Sequence, residues 1–275
     1  MSKHMIYEQK KYDIAYWDDQ KGTRPLECSI HLHRDLELVY LMEGETEVFA
    51  DSVRCTMHAG DVFLTFPNQI HAYKTIKPER YLIFTIKADL IPELSEVFDL
   101  SIPCSPVIVG AGNDPQIHSL LAALSTACHE ENHPYGDARR RGYLLALFSE
   151  LLGKMNVTGI SVGDSGALRS IVAFCTRNFS ENLSLSLLEE KLHLNKYYIS
   201  HLFSGKLGLR FNDYVNSLRI SEACRYLVAT DYSVTEISEM VGFNTLRTFN
   251  RSFTKQMGTS PSEYRKNDSV TLRRM

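Results

Sequence analysis

No apolar run in this chain approaches the roughly 18 residues that cross a bilayer, and the opening Met1-Ser-Lys-His4 has no signal-peptide core. A membrane partner and secretion are therefore not expected, and the reading is a cytoplasmic protein. Cysteine is sparse and scattered: Cys28, Cys55, Cys104, Cys128, Cys175 and Cys224, with no Cys-x-x-Cys pair. That excludes a disulfide framework or a cysteine zinc site and leaves reduced thiols. There is one tryptophan, and no acid/base pair or nucleophile constellation can be picked out. The net charge of −3 is small but unevenly spread. Residues 1–164 hold 15 Lys/Arg against 23 Asp/Glu, whereas residues 165–275 hold 15 against 10. An acidic front and a basic back suit a sensor joined to a binder of polyanions.

What is present divides the chain further. From about Lys10 to Thr85, short apolar runs (Leu36–Leu41, Thr46–Phe49, Asp61–Phe66, Tyr81–Ile86) are punctuated by Gly44, Gly60 and Pro67. Their aromatic and β-branched content predicts antiparallel strands closing into a sandwich or small barrel. After Pro115 the period becomes helical. Ile117, Leu120, Leu121, Leu124 and Cys128 mark one helix, and Tyr143, Leu144, Leu147, Leu151 and Leu152 a second. The Leu144-Leu147-Leu151-Leu152 stripe has two readings, packing on the barrel or contact with a second protomer. Gly and Ser at 156–165 predict a linker, residues 166–268 are helical in period, and 269–275 form a polar tail. The class is α+β: a β-barrel with a helical pair (about 113–155) in a domain spanning 1–155, then an all-α domain.

The all-α part repeats itself at a spacing of fifty residues. Phe203, Gly208 and Tyr214 align with Phe253, Gly258 and Tyr264. Each copy follows a short amphipathic helix and a tight turn, the outline of a helix-turn-helix. In the first, Ser184 and Asn195 are predicted caps; Ile199, Leu202 and Phe203 point inward, leaving Lys196, Tyr197, Ser200 and His201 outside. In the second, Ser233 or Thr235 is the cap; Phe249 and Phe253 anchor the helix, leaving Arg247, Asn250 and Arg251 outside. Arg reads guanine and Asn reads adenine through paired hydrogen bonds. Between the units, Phe211 to Ala229 predicts a helix of roughly 28 Å, close to the ~34 Å between successive major grooves on one face. The expected partner is double-stranded DNA.

The segment Ile237-Ser-Glu-Met-Val-Gly-Phe-Asn-Thr-Leu-Arg-Thr-Phe-Asn-Arg-Ser-Phe253, continued through Gly258 and Pro261 to Tyr264, closely resembles the signature of AraC/XylS-family transcription regulators. The resemblance covers about 100 residues and implies that Lys196, Tyr197, Ser200, His201, Leu246, Arg247, Asn250 and Arg251 meet base edges and phosphates. His201 stands where members often have Arg, and a phosphate contact is its alternative role. The resemblance also implies a homodimer joined through the helical pair, and RNA polymerase is a candidate further partner.

In the first half, His31-x-His33-x3-Glu37-x6-Gly44 matches one cupin motif and Gly60-x6-Pro67-x3-His71 resembles the other, which makes the expected barrel a cupin-like jelly roll. Three readings stand for His31, His33, Glu37 and His71: a site for Zn, Mn, Ni or Fe(II); a polar pocket for a hydroxyl-rich effector; or residues that satisfy one another. Tyr40, Tyr73 and Trp17 are further candidate effector contacts. By resemblance the sensor takes a sugar or other small molecule, often without metal, so no cofactor is required and a divalent ion in the barrel is a candidate only. The expected mechanism is a population shift between sensor–reader arrangements. The alternatives are a metal-dependent cupin enzyme carrying a DNA module, and a regulator with no effector.

Overall fold

The computed structural model describes residues 13–19, 22–51, 53–130, 132–159 and 164–272, in two compact units, Lys10–Val162 and Gly163 onward. The first unit begins with strands β1 (Ile14–Asp18), β2 (Cys28–His31), β3 (Leu36–Ala50), β4 (Val53–His58), β5 (Val62–Thr65) and β6 (His71–Ile86). A short helix α1 (Ser95–Leu100), β7 (Ser101–Pro103) and β8 (Val107–Ile108) lead to helices α2 (Pro115–His129) and α3 (Gly136–Lys154). A last strand, β9 (Val157–Gly159), pairs with β7. The main sheet has seven strands, ordered β1-β6-β3-β5-β8, with β2 added on β6 and β4 on β3, and every pair is antiparallel.

β3 and β6 form the spine. The sequence runs Leu36–Leu41 and Thr46–Phe49 are not separate strands but the two halves of β3, which pairs with β6 from Leu36↔Ile86 to Ala50↔His71. Register shifts between Leu41 and Thr46 place one residue fewer on β3 than on β6, which bends the ladder. They also reverse the parity of β3. Glu37, Val39 and Leu41 face the barrel interior before the bend, and Val48 and Ala50 after it, where they pack with Met57, Phe63, Tyr73 and Tyr81. Gly44 sits inside this bend at φ +93, and a Cβ there would lie 2.4 Å from the Pro78 carbonyl oxygen, so a side chain has neither the conformation nor the room.

The opposite face of the sheet is closed by the helical pair. Leu36, Leu38, Leu64, Leu82, Phe84 and Ile86 form one core with Ile117, Leu121 and Leu124 of α2 and Leu144, Leu147, Phe148 and Leu151 of α3. Asp114 caps α2 by accepting from the Gln116 and Ile117 amides. Of the two readings of the leucine stripe, the structure selects packing on the sheet: Leu144, Leu147 and Leu151 are fully buried, and Leu152 packs against the same core.

The second unit holds α4 (Asp164–Arg177), α5 (Leu185–Leu192), α6 (Lys196–Leu202), α7 (Phe211–Ala229), α8 (Val234–Met240), α9 (Leu246–Met257) and α10 (Pro261–Leu272). α7 carries buried residues along its whole length, from Phe211 to Leu227. Its first half presents Phe211 and Tyr214 to Phe203, with ring centroids 5.4 and 5.1 Å apart, and its second half packs Ile220, Ala223, Cys224 and Leu227 with Phe249 and Phe253. Three expectations shift. Residues 157–159, read as linker, are strand β9 of the first unit. Part of the expected tail is helical, because α10 runs to Leu272. The first presented helix keeps α geometry only to Leu202 and closes through a π-helical turn, Phe203–Leu207, that contains Gly205.

Candidate functional site

The two turns of the second unit are built differently. In the first, Ser184 caps α5 by accepting from the Leu187 amide, His193 adopts a left-handed conformation (φ 55), and Asn195 caps α6 by accepting from the Tyr197 amide at 2.9 Å. In the second, Ser233 and Glu236 form a reciprocal capping box on α8, and Thr245 caps α9. Gly242 makes the intervening turn at φ +85. A Cβ on it would lie 2.4 Å from the Ser180 carbonyl oxygen, so this turn requires glycine for space as well as for conformation. The repeat extends to packing: Phe253 meets Tyr264 at 5.6 Å as Phe203 meets Tyr214.

These caps present two helices whose inner faces are spent on the core and whose outer faces are polar. Tyr197 is 75% exposed, with the Lys196 Nζ 5.6 Å from its ring, and Ser200 and His201 are exposed beside it. On α9, Leu246, Arg247, Asn250 and Arg251 are exposed, and Phe249, Ser252 and Phe253 are buried. All eight residues named from the sequence thus lie on α6 or α9; Lys196 alone among them is half-buried. A residue missed by the sequence reading holds the scaffold. Arg219 on α7 donates to the carbonyl oxygens of Phe179 and Glu181 at 2.8 and 2.7 Å, tying the α4–α5 connection to the central helix. An isolated Arg in a helical period carries no sequence signal for that role.

In the barrel, β2 and the turn after it supply His31 and His33, β3 supplies Glu37, and β6 supplies His71. All four are buried, at most 4% exposed, and one ligand atom from each lies within 4.8 Å of every other. Each imidazole rests its Nδ1 on a backbone carbonyl: His31 on Ser29 at 3.0 Å, His33 on Asp35 at 3.0 Å and His71 on Gln69 at 2.9 Å. A carbonyl only accepts, so these partners assign a proton to each Nδ1 and leave Nε2 of His33 and His71 facing Glu37. Glu37 is the centre of the group, with His33 Nε2 3.2 Å from one oxygen and His71 Nε2 3.3 Å from the other. Tyr73 donates to Oε1 at 2.6 Å and Thr85 to Oε2 at 3.0 Å. Burial raises the Glu37 pKa, but its bonds and charge interactions with His33 and His71 outweigh that and hold it well below the usual carboxylate range.

The structure does not bring every candidate here. Tyr40 is three residues from Glu37 and so points through the other face of the sheet. It packs on His118 with centroids 6.1 Å apart and fills the space that a side chain on Gly112 would need. Tyr40 is therefore corrected from effector contact to core residue. Trp17 is 41% exposed on the edge strand β1 opposite Ile83, on the interior-facing side of the sheet, and the Arg24 guanidinium lies 4.5 Å above its ring. Tyr73 does join the cluster, through Glu37. Thr85 is a further member that the sequence reading misses, because its place beside Glu37 follows from the strand register and not from spacing.

The donor set fits a divalent ion. Three imidazole nitrogens and one carboxylate converge, and the buried Nε2 of His71 makes no well-directed hydrogen bond despite its closeness to Glu37. Such an ion would be held by His31, His33, Glu37 and His71.

A bent sheet with a buried polar centre, followed by two capped helix-turn-helix units on one central helix, defines a DNA-binding regulator with a ligand-binding domain. Comparison with known proteins agrees. The profile of an AraC-like ligand binding domain matches residues 26–148 and that of a helix-turn-helix domain matches residues 188–267. The chain belongs to the AraC family of transcription regulators. It is 23% identical over 260 residues to the uncharacterized HTH-type transcriptional regulator YdiP of Escherichia coli, covering 92% of this chain and 84% of that one. It is 24% identical over 234 residues to the raffinose operon transcriptional regulatory protein RafR of Pediococcus pentosaceus, covering 84% of each. The fold is that of ToxT from Vibrio cholerae, with a TM-score of 0.53, 17% identity, and coverage of 92% of this chain and 97% of that one. Among the described residues, no helix is long and apolar enough to cross a membrane.

Proposed function

We propose that this regulator reads two successive major-groove segments of DNA, one through α6 and one through α9, and that a small molecule of the sugar class sets its occupancy from the first unit. One observation carries the DNA reading: two separately capped helices, both packed on the one continuous helix α7, carry all of Tyr197, Ser200, His201, Arg247, Asn250 and Arg251 on their exposed faces. In this reading Arg251 and Asn250 touch base edges, Lys196 and His201 touch phosphate, and Tyr197 and Leu246 supply apolar contact to base methyls. Selection of sites from a random DNA pool, by wild type and by Asn250→Ala, tests it. The variant is expected to relax preference at one position, and an identical preference would contradict the assignment.

The effector class is supported by the similarity to RafR and by the polar barrel centre, with Trp17 as the aromatic surface on the interior-facing side of the sheet. Unfolding of the full chain against a panel of sugars, sugar acids and polyols tests it, since a ligand at 100 times its dissociation constant stabilises by about 2.7 kcal/mol. No shift with any of them would remove the sugar reading. The regulator acts in the cytoplasm as a homodimer that engages RNA polymerase. The dimer forms through the outward face of α3, because its inward leucines are consumed by the sheet. A monomer by sedimentation, with and without DNA, would contradict that contact.

A further inference from the structure

We propose that the first unit holds a second buried polar centre, around Glu79 at the bend of β6, and that this centre takes the ammonium group of an amino sugar. The inference rests on the reading of the effector as a sugar and narrows its class. It does not involve the histidine cluster.

The bend sets the place. His71 and Thr85, at the two ends of β6, meet at Glu37, whereas Glu79 lies midway along the strand. Glu79 is 3% exposed. Its Oε1 accepts from the Leu26 amide and from the Thr75 hydroxyl at 2.6 Å, and its Oε2 is buried with no hydrogen-bond partner. Thr46 stands opposite Thr75 in the ladder, fully buried, and its hydroxyl has no partner either. Asp19 extends the pairing of β1 with β6, its amide donating to the Tyr81 carbonyl at 2.9 Å. Trp17 and Asp19, two residues apart, therefore share a face.

Charge decides what is missing. Burial pushes the Tyr81 hydroxyl up to about 12, Asp19 and Glu79 add to the rise, and Arg24 opposes it, so these three charged side chains surround one hydroxyl. Two carboxylates against one guanidinium leave the cluster one positive charge short. Asp19 is satisfied within its own loop, by the Thr23 amide and hydroxyl and the Arg24 amide. The Arg24 guanidinium lies on the Trp17 ring, 4.5 Å from its centroid. Among the described residues, no cationic side chain pairs with Glu79. An unpaired buried carboxylate is costly, and a ligand that brings the counter-charge removes that cost.

The donors then select the ligand. An ammonium supplies one charge and three donors. Glu79 Oε2, the Thr46 hydroxyl and the Tyr81 hydroxyl are three neighbouring acceptors. A sugar hydroxyl brings one donor and no charge, so a neutral sugar leaves Glu79 unpaired. Trp17, 41% exposed, supplies the flat apolar surface against which a sugar ring packs.

Trp17 is the single tryptophan, so its fluorescence reports on this centre directly. The test titrates the full chain with D-glucosamine, D-galactosamine, N-acetyl-D-glucosamine and D-glucose, with calorimetry for stoichiometry. The expected result is one amino sugar bound per chain, with the N-acetyl compound and glucose weaker by about 30-fold or more, the loss expected when one partner of a buried charge pair is removed. Glu79→Gln, which keeps the shape, should abolish that preference with an unchanged far-ultraviolet spectrum. Neutral sugars that bind as tightly as the amino sugars would overturn the inference and leave the sugar reading standing. A preference that survives in Glu79→Gln would also overturn it. Failure of all four compounds to bind the folded chain would remove both the inference and the sugar reading. If Glu79→Gln does not fold, the wild-type comparison of glucosamine with its N-acetyl derivative decides alone.

Discussion

Two glycines of the DNA-reading unit have nearly the same backbone conformation and very different surroundings, which makes a matched pair of substitutions informative. Gly258 ends α9 at φ +72 with nothing within 4 Å of the place a Cβ would take, and Gly242 turns between α8 and α9 at φ +85 with the Ser180 carbonyl oxygen 2.4 Å from that place. Gly258→Ala imposes only left-handed strain, about 1–2 kcal/mol. Gly242→Ala adds to the same strain a contact with backbone about an ångström too short, and overpacking of that kind costs a further ~1–3 kcal/mol. The expected loss is therefore about 2–5 kcal/mol, and the α8–α9 angle changes because the Ser180 carbonyl, being backbone, cannot rotate away. Urea unfolding of the full chain followed by helical ellipticity measures the loss in the second unit. Fluorescence of the single tryptophan, Trp17, follows the first unit separately and should not move. DNA affinity should fall much further for Gly242→Ala than for Gly258→Ala. Equal effects of the two substitutions would refute the turn geometry on which the placement of α9 rests.

Other predictions follow from the same structure. Phe203→Ala removes a fully buried ring that meets Phe211 and Tyr214 and should cost about 3–5 kcal/mol in urea unfolding of the second unit. Arg251→Ala should lose about 1–3 kcal/mol at a specific site, measured as the ratio of specific to non-specific affinity, with little change on non-specific DNA. Tyr73→Phe takes one donor from the buried Glu37 carboxylate and should destabilise the first unit by about 1–3 kcal/mol, read from Trp17 fluorescence in urea. Burial pushes the Cys175 thiol up to about 12 and Cys128 up to about 11, whereas Cys104 is exposed. Since the thiolate is the reactive form, alkylation at pH 8 should label Cys104 first and spare Cys175 and Cys128 until the chain unfolds.

The second unit is the more legible half in the sequence, for a physical reason. Helix caps and inward residues are local: Ser184, Asn195 and Ser233 announce helix starts, and Phe203, Phe249 and Phe253 lie at helical spacing, so α5 to α9 can be read within a few residues. The barrel depends on pairing between distant strands. His31, His33, Glu37 and His71 are visible as a motif, but the donors to Glu37 are split. Tyr73 is a candidate by residue type, and Thr85 appears only once the Glu37↔Thr85 register is known. For Tyr40 the contrary signal is present in the sequence, since an even and an odd residue of one strand face opposite ways. The same rule fails past the bend, where the register shifts between Leu41 and Thr46 invert it. The carbonyls that set the histidine tautomers belong to backbone, which no side-chain pattern reports.

The central claim is that both presented helices read one continuous DNA site. Footprinting at base resolution on a selected site tests it most directly, comparing wild type with a Ser200→Ala/His201→Ala variant and an Arg247→Ala/Arg251→Ala variant. The account predicts two protected segments per chain with centres about 10 base pairs apart, each variant losing protection of one segment and keeping the other. A single protected segment, lost only in the Arg247→Ala/Arg251→Ala variant, would mean that α6 is a structural copy without a reading role and would contradict the account.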